Sequence, residues 1–395
     1  MFKQLIRFIK CFFLLILFFS LGMIAVYQIP NDFLEPQFSK SISQLEKEDP
    51  YPNYLFNSDA SVLDNFMDKI MITSCRISDA YDNMLDAAFD NNGYPRYWNG
   101  YLLTLRLFLS QFSYQQIRYL NMFFLIISFC FCFSGIQQRL NPAAAFGFAA
   151  AVISCFLVFI GESLQYFTVF MILFITILIY LHVPYFHKPE NSVLLLFAVG
   201  MVTNFFDMLT APLITLGIPL ILMISDDSFP VFTKKFVHQI IFIVKSSLSW
   251  GFGYGLTWAA KWAIGTMILG VNVFEDAAKT AQFRVYGSES YPLDRGLMYK
   301  LNFETYFFSK GHKPALFIIL SILVLIIMLI RRHKENCYSM IAVNLLVGIF
   351  PYIWFFVFAN HSQLHYFYTY RIQSITLFSI FTAIGCSIDW SGNIF

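Results

Sequence analysis

Long apolar runs recur along almost the entire chain of 395 residues, and they restrict its possible folds more than any other feature. They fall near residues 11–27, 117–136, 143–160, 166–183, 192–206, 209–225, 238–258, 314–330, 338–358 and 370–387. A bilayer core of about 30 Å needs roughly 20 apolar residues per helix, and most of these runs approach that length. We therefore expect an all-α integral membrane protein with about ten transmembrane helices.

The overall composition supports a membrane protein and excludes one class of partner. Hydrophobic residues make up 58% of the chain and charged residues only 13%, which is outside the usual range of soluble globular proteins. The net charge of +2 is close to neutral, and no run of lysine and arginine of the kind that follows a nucleic-acid backbone occurs. We expect no nucleic-acid partner.

Basic residues predict the orientation of the chain in the membrane. Lys3, Arg7 and Lys10 precede the first apolar run, and no small-residue cleavage site follows it. This run is therefore expected to be an uncleaved anchor with a cytoplasmic N-terminus. Further basic residues lie in short loops that alternate correctly with this orientation, namely Arg139, Lys188, Lys234, Lys235, Arg331, Arg332 and Lys334. The pattern predicts a multi-pass protein, expected in a bacterial plasma membrane, whose active face is extracytoplasmic.

The predicted spans divide the chain into five parts. These are the N-terminal transmembrane anchor 1–27, an extracytoplasmic loop 28–116 with amphipathic interfacial helices, a transmembrane bundle 117–258, a second extracytoplasmic loop 259–313 and C-terminal transmembrane helices 314–395. Polar residues are concentrated in the extracytoplasmic parts. We therefore expect the chemistry of the protein to take place at the outer membrane surface.

The interval 192–225 is too long for a single membrane-spanning helix. At about 1.5 Å per residue it would extend about 51 Å, against a core of about 30 Å. Pro212 interrupts it, because proline restricts the preceding residue and cannot donate the helical hydrogen bond. Two short helices are expected, with Asp207 in the turn between them, in a recess below the outer surface.

The first outer loop contains the stretch NSDASVLDNFMDKIM, residues 57–71. Its apolar side chains recur at helical spacing, which predicts an interfacial helix that presents Asp64 and Asp68 from one side. Ser58 or Asp59 is expected to cap its start. Asp59, Asp64 and Asp68 are candidate catalytic acids or bases, although a solvated acidic face would explain them equally well. A solvated face is the favoured interpretation of the later series Asp79, Asp82, Asp86 and Asp90.

Other outer segments supply cationic and aromatic side chains. The candidate substrate-binding residues are Arg96, Trp98, Tyr101, Asp207, Lys261, Arg295, His361, His365 and Arg371. Arginine beside aromatic rings can stack on a sugar and hold a phosphate, whereas the same residues are also typical of an interface belt. Lys261 interrupts apolar sequence, so it must snorkel to the surface or bind an anion. Arg284 lies in the same outer loop as Arg295.

This layout resembles that of the GT-C type glycosyltransferases, multi-pass enzymes that take a sugar from a polyprenyl-phosphate or diphosphate carrier. The resemblance rests on the anchor, the acidic outer stretch NSDASVLDNFMDK and the cationic, aromatic outer loops near the end. Three stretches also resemble a group of uncharacterised bacterial membrane proteins of this plan. They are YPRYWNGYLLTLRLFLSQFSYQQIRYLNM, NFFDMLTAPLITLGIPL and NHSQLHYFYTYR.

The resemblance implies transfer of a hexosyl group from a lipid-linked donor. Asp59 or Asp64, with Asp68 next, would act as general base on the acceptor hydroxyl. The residues expected to stabilise the leaving phosphate are Lys261, Arg371, Arg96 and Arg295. Asp207 would orient the sugar or the base. The acceptor stays open between a cell-surface glycan such as a polysaccharide or teichoic acid, a lipid and a protein.

No cofactor is required by the sequence. The outer carboxylates could bind a divalent cation, but no spacing of ligands demands one. No glycine-rich phosphate loop precedes a helix, and no cytoplasmic domain is present for a nucleotide sugar, which favours a lipid-linked sugar as donor.

Two other classes of function remain open from the sequence. About ten spans suit a transporter or a lipid-linked glycan flippase, although carriers usually place polar groups near the midplane in paired halves. An outer-face acyltransferase or glycan polymerase could use His361 or His365, because histidine titrates near neutral pH. The concentration of ionisable residues on one side favours the glycosyltransferase.

Overall fold

The computed structural model describes residues 2–54, 58–79, 81, 83–231, 235–309, 321 and 337–390. Within them the chain is almost entirely helical. Its α-helices are α1 Phe2–Tyr27, α2 Asn31–Leu45, α3 Asn65–Thr73, α4 Met84–Asp90, α5 Leu102–Leu109, α6 Tyr114–Arg139, α7 Pro142–Ile153, α8 Leu157–Glu162, α9 Leu164–His182, α10 Pro189–Phe206, α11 Ile214–Ser225, α12 Phe236–Leu269, α13 Val273–Tyr286, α14 Arg295–Phe303, α15 Tyr338–Gly348, α16 Phe350–Val357, α17 Ala359–Leu364, α18 Tyr366–Thr369 and α19 Ser374–Ser387.

Short elements complete the described part of the chain. A two-stranded antiparallel hairpin joins β1 Gly287–Ser288 to β2 Tyr291–Pro292, with Ser288 opposite Tyr291. One π-helical turn, Glu304–Phe308, follows α14. Single 3₁₀ turns lie at Asp59–Ser61, Pro184–His187 and Tyr370–Gln373.

Five helical segments in the described residues are long and apolar enough to cross a membrane. They are Phe2–Tyr27, Tyr114–Arg139, Leu164–His182, Pro189–Phe206 and Tyr338–Val357. The expectation of an all-α membrane protein is thereby confirmed in its general form, while the full count of ten spans stays a prediction. The run 314–330 and the cluster Arg331, Arg332 and Lys334 lie outside the described residues, apart from Ser321.

Local sequence explains where several helices begin and end. Ser113 and Gln116 form a capping box at the start of α6. Asn141 caps α7 by accepting a hydrogen bond from the Ala144 N–H, and Pro142 occupies the first turn, where no donor is lost. Phe156 adopts a left-handed conformation with φ +58° and separates α7 from α8. The apolar run 143–160 is therefore two helices, not one.

The predicted break after residue 206 is present. α10 ends at Phe206 and α11 begins at Ile214, so Asp207 and Pro212 lie in a non-helical turn between two apolar helices. Leu209 in this turn has φ +66°, a conformation that is uncommon for a residue with a side chain. The turn is packed inside the protein, since Asp207 is only 6% exposed.

α10 and α12 pack against each other through two glycines. An added Cβ at Gly200 would lie 2.2 Å from the Trp250 carbonyl oxygen, and one at Gly253 would lie 2.2 Å from the Phe197 carbonyl oxygen. Small residues at such positions let helix backbones approach closely, which is a common source of helix association in membranes. This contact holds α12 against α10, the helix that leads into the Asp207 turn.

The first outer loop is folded onto the bundle. Arg118 of α6 is nearly fully buried, and its guanidinium lies 3.2 Å from a carboxylate oxygen of Glu48 and donates to the Glu162 carbonyl oxygen at 2.8 Å. Arg106 of α5 donates to carbonyl oxygens at the end of α1, including that of Val26 at 2.9 Å. These contacts hold loop 28–116 in one position over the helices.

Candidate functional site

Polar side chains from distant parts of the chain meet where the first outer loop packs on α9, α13, α17 and α18. We call this group the outer polar cluster, and it consists of Asp64, Arg284, His361, His365 and Arg371 with the neighbouring Asp207 turn. Tyr166 and Tyr368 connect its two sides, with ring centroids 6.1 Å apart. Asp64 lies within electrostatic range of both tyrosines.

Asp64 is a buried carboxylate, and one of its two oxygens accepts no hydrogen bond from the described residues. It is the N-cap of α3, and its Oδ1 accepts a hydrogen bond from the Met67 N–H at 2.9 Å. No described residue donates a hydrogen bond to Oδ2. Burial raises the pKa of the Asp64 carboxyl to about 7, the Met67 N–H opposes this, and the neighbouring Asp68 raises the pKa further. A carboxylate with this pKa can accept and release a proton near neutral pH.

Asp68 has a different position from the one that the sequence predicts. It is fully buried, not on a solvated face, and it accepts hydrogen bonds from the Tyr114 hydroxyl at 2.7 Å and the Leu164 N–H at 3.0 Å. Ser163 and the Gln165 N–H are further donors at 3.3 Å. A carboxylate at the start of α9 is stabilised by the helix N-terminus. Both oxygens are thus occupied, and the geometry favours Asp64 as the base.

The amphipathic stretch itself also differs from the prediction. Val62 and Leu63 precede α3, which begins only at Asn65, and the cap is Asp64, not Ser58 or Asp59. Residues 59–61 form a separate 3₁₀ turn. The helix therefore does not lie on a membrane surface with its acidic face in water, because that face is packed against α6 and α9.

His361 connects Arg284 to the Asp207 turn. Arg284 Nη1 lies 2.6 Å from His361 Nδ1, and His361 Nε2 lies 2.9 Å from the Leu209 carbonyl oxygen. Because a guanidinium can only donate, Nδ1 must accept and Nε2–H must donate, which makes the ring neutral. Burial, with the positive charge of Arg284, holds the pKa of His361 well below its usual range.

Two guanidinium groups in the cluster lack a carboxylate partner. Within the described residues neither Arg284 nor Arg371 forms an ion pair. Arg284 Nη2 donates to the Tyr97 hydroxyl at 2.7 Å, and its Nε is buried without a hydrogen bond. Arg371 is 0% exposed, lies 4.1 Å above the centre of the Tyr166 ring and has an unpaired Nη2. Among the described residues Arg371 donates only to the carbonyl oxygens of Cys155 and Phe367, and Arg284 is half-buried. A buried cation without a counter-ion costs several kcal/mol, so the surroundings of Arg371 favour an anionic ligand.

His365 lies between His361 and Tyr368 and is held by ring contacts alone. Its ring centroid is 4.8 Å from that of His361, and it stacks on the Tyr368 ring at 5.1 Å. In the described part of the chain neither of its ring nitrogens forms a hydrogen bond. Burial, with Arg284 nearby, lowers the pKa of His365 to about 4, so the ring is neutral at physiological pH. The neutral ring can donate one hydrogen bond to a ligand and accept one from it.

Three of the predicted binding residues lie elsewhere, in an aromatic core around α1. Trp98 and Tyr101 are 1% and 3% exposed, and Trp98 packs against Phe19 and Phe205. Lys261 does not snorkel to the surface. It is buried, donates to the Phe89 carbonyl oxygen at 2.6 Å and lies 5.9 Å from the centre of the Trp98 ring. These residues contact protein groups and leave no room for a sugar.

Arg96, Arg295 and Asp59 lie outside the outer polar cluster. Arg96 forms an ion pair with Asp276 at 2.9 Å. Arg295 donates to the Phe356 carbonyl oxygen at 2.8 Å, at the surface. Asp59 is exposed and accepts a hydrogen bond from the Tyr366 hydroxyl at 3.2 Å.

The structure therefore unites five of the predicted site residues and adds three. Asp64, Asp207, His361, His365 and Arg371 lie in or beside the outer polar cluster. The added residues are Arg284, Tyr166 and Tyr368. Arg284 had a signal in the sequence, as a cation in an outer loop. Tyr368 could be noticed as an aromatic neighbour of His361, His365 and Arg371 in the sequence. Tyr166 had no signal, because tyrosine is common at every membrane interface.

Within the described residues, no group of three or more histidine, cysteine, aspartate or glutamate side chains is placed to hold a metal ion. Comparison with known proteins adds no assignment. No family model matches the chain, and neither a curated protein nor a solved structure is significantly similar to it.

Proposed function

We propose that this protein is a membrane glycosyltransferase that moves a hexosyl group from a polyprenyl-phosphate carrier to an acceptor on the outer face. The observation that carries the proposal is the position of three groups around Tyr166 and Tyr368. They are Asp64, with a free carboxylate oxygen, and two guanidinium groups without carboxylate partners among the described residues. A base and an anion site at close quarters are what glycosyl transfer from a lipid phosphate requires.

Asp64 is the general base of the proposed reaction. Its free Oδ2 takes the proton of the acceptor hydroxyl while that oxygen attacks the anomeric carbon of the donor. The bond between the anomeric carbon and the phosphate oxygen breaks, and polyprenyl phosphate leaves with the bonding electron pair. Asp68 keeps α3 in place against α9 and thereby positions Asp64.

Arg284 and Arg371 stabilise the charge that develops on the leaving phosphate. Arg371 is closed to water and Arg284 is half-buried, which strengthens this interaction relative to the same contact in bulk solvent. His361 orients Arg284 through its Nδ1 and is itself fixed by the Leu209 carbonyl oxygen. The neutral His365 binds a hydroxyl of the donor sugar.

The first test is release of polyprenyl phosphate by the purified protein in lipid nanodiscs. A panel of polyprenyl-phosphate hexoses serves as donors and a surface-glycan extract as acceptor. We expect release by the wild type, and a loss of about 100-fold or more in Asp64→Asn, because a general base typically contributes 10²- to 10⁴-fold. Arg284→Gln and Arg371→Gln are each expected to lower the turnover number by a similar factor.

Matched variants separate this mechanism from its alternatives. Lys261→Met and Arg295→Gln, at cations that lie outside the cluster, are expected to keep the turnover number per folded molecule. Equal losses of turnover number in all four cation variants would mean that removal of a positive charge impairs folding and does not act on catalysis. No release from any donor, with donor binding retained, would favour a transporter or lipid-linked glycan flippase.

A further inference from the structure

A polar cavity of about 470 Å³ lies between the first and second outer loops and has no role in the proposed chemistry. Its lining includes Ser58, Asp59, Glu304, Thr305, Phe308 and Ser309. Asp59 is in the 3₁₀ turn before α3, and Glu304 begins the π-helical turn after α14. The first and second outer loops therefore build this cavity together.

The acidic and aromatic side chains of the lining are accessible to a ligand. Asp59 and Glu304 are exposed, and Phe308 presents 61% of its surface. The Ser58 and Ser309 hydroxyls are buried, so these two serines belong to the wall of the cavity and offer a ligand no accessible hydroxyl.

We propose that this cavity binds a neutral carbohydrate and is the acceptor subsite of the enzyme, an inference that rests on the proposed function. Carboxylates accept hydrogen bonds from neighbouring sugar hydroxyls, and an exposed aromatic ring packs on the apolar face of a sugar. Asp59 and Glu304 together repel anions, so the subsite disfavours polyanionic acceptors such as teichoic acids.

The position of the cavity fits an acceptor. Tyr366 donates its hydroxyl to Asp59 at the cavity, and Tyr368, two residues further along α18, lies in the outer polar cluster beside Asp64. Asp59 and Asp64 are themselves only five residues apart in the chain. In this proposal, a glycan that is held at Asp59 and Glu304 extends its terminal hydroxyl towards the free oxygen of Asp64.

Saturation-transfer NMR on the full-length protein in nanodiscs tests the subsite without a need for turnover. The probes are N,N′-diacetylchitobiose, mannobiose and galactobiose, with a glucuronate-containing disaccharide as the anionic counterpart. We expect at least one neutral disaccharide to bind, and its apparent affinity to fall at least 10-fold in Glu304→Gln and in Phe308→Ala. Glu289→Gln, at an exposed glutamate of the β-hairpin, is the matched control and should bind as the wild type does.

The outcomes separate this inference from the proposed function. If polyprenyl phosphate is released, Glu304→Gln should raise the KM for the acceptor about 10-fold or more and leave the KM for the donor unchanged. Neutral binding that depends on Glu304 would support the subsite even in the absence of donor cleavage. The inference is wrong if no neutral disaccharide binds, if the anionic probe binds equally well, or if Ca²⁺ or Mg²⁺ binds at Asp59 and Glu304 and displaces the sugar.

Discussion

At the scale of single residues, the two aspartates at the start of α3 differ in chemistry because their surroundings differ. Asp64 caps the helix and Asp68 lies in its first turn, and both are removed from water. Asp68 receives hydrogen bonds on both oxygens, whereas Asp64 receives one on a single oxygen. The hydrogen bonds to Asp68 satisfy its buried charge and leave neither oxygen free for a ligand. The single hydrogen bond to Asp64 leaves a carboxylate that is able to exchange a proton with a ligand.

The raised pKa of Asp64 predicts a dependence of activity on pH. Donor cleavage should increase as pH rises through about 7, because the carboxylate must be deprotonated to act as a base. The measurement is kcat/KM for polyprenyl-phosphate release between pH 5 and 9. Asp64→Glu should move the midpoint, while Asp79→Asn, at an exposed acid of the same loop, should not. A profile without a midpoint near 7 would remove Asp64 from the role of base.

The same pKa predicts an effect on stability that needs no substrate. The pKa of Asp64 is raised in the folded protein from about 4 in the unfolded chain to about 7, so its contribution to stability is complete below pH 4 and is lost as pH rises to 7. Asp64→Asn keeps an N-cap, since asparagine caps helices as well as aspartate does. We expect the variant to melt several degrees above the wild type at pH 8 and near it at pH 4, by thermal unfolding in detergent.

The positions of these aspartates could not be read from the sequence, for a physical reason. Local periodicity places Asp64 and Asp68 on the polar face of a helix, which predicts exposure to water. The donors that satisfy Asp68 are Tyr114 and the Leu164 N–H, 46 and 96 residues further along the chain. Tertiary contacts therefore reverse the exposure that the local pattern predicts. His361 and Arg371 could be named as candidate site residues from the sequence, because they are polar residues beside long apolar runs.

At the scale of helices, long apolar runs in the sequence predict where helices lie, but they predict the breaks between helices less well. α6 and α9 lie where continuous apolar sequence predicts them, and the break between α10 and α11 is found at the proline-containing turn. The break between α7 and α8 was not predicted, because Phe156 takes a left-handed conformation that nothing in its own chemistry favours. Packing around it decides the conformation.

The contact between α10 and α12 provides a test at this scale. Gly253→Leu should destabilise the protein, because the added Cβ would lie 2.2 Å from the Phe197 carbonyl oxygen and the two helices would have to separate. Overpacking of this kind costs about 1–3 kcal/mol. Gly251→Leu is a control on the same helix, since an added Cβ there meets nothing within 4 Å. The melting temperature of Gly253→Leu should fall several degrees, and equal melting temperatures would refute the packing.

At the scale of the whole molecule, the arrangement predicts which surfaces face the outside. The outer polar cluster, the cavity at Asp59 and Glu304 and the β-hairpin all belong to segments that the charge pattern predicts to lie outside the cell. The seven native cysteines can be replaced to give a background for labelling. A cysteine at Ser288 should react with a membrane-impermeant maleimide in intact cells, and one at Lys188 only after permeabilisation. The reverse pattern would invert the topology and exclude an extracytoplasmic site.

The guanidinium of Arg106 has a consequence for how the chain is made. It donates to the Val26 carbonyl oxygen at 2.9 Å and the Ile29 carbonyl oxygen at 2.5 Å, at the end of α1, and also to that of Cys75. Val26 is synthesised 80 residues before Arg106, so these carbonyl groups gain their guanidinium donor only when α5 reaches the end of α1. In the predicted topology, α5 must first be translocated across the membrane. We therefore expect the first outer loop to pack on α1 only after residue 106 has been translocated.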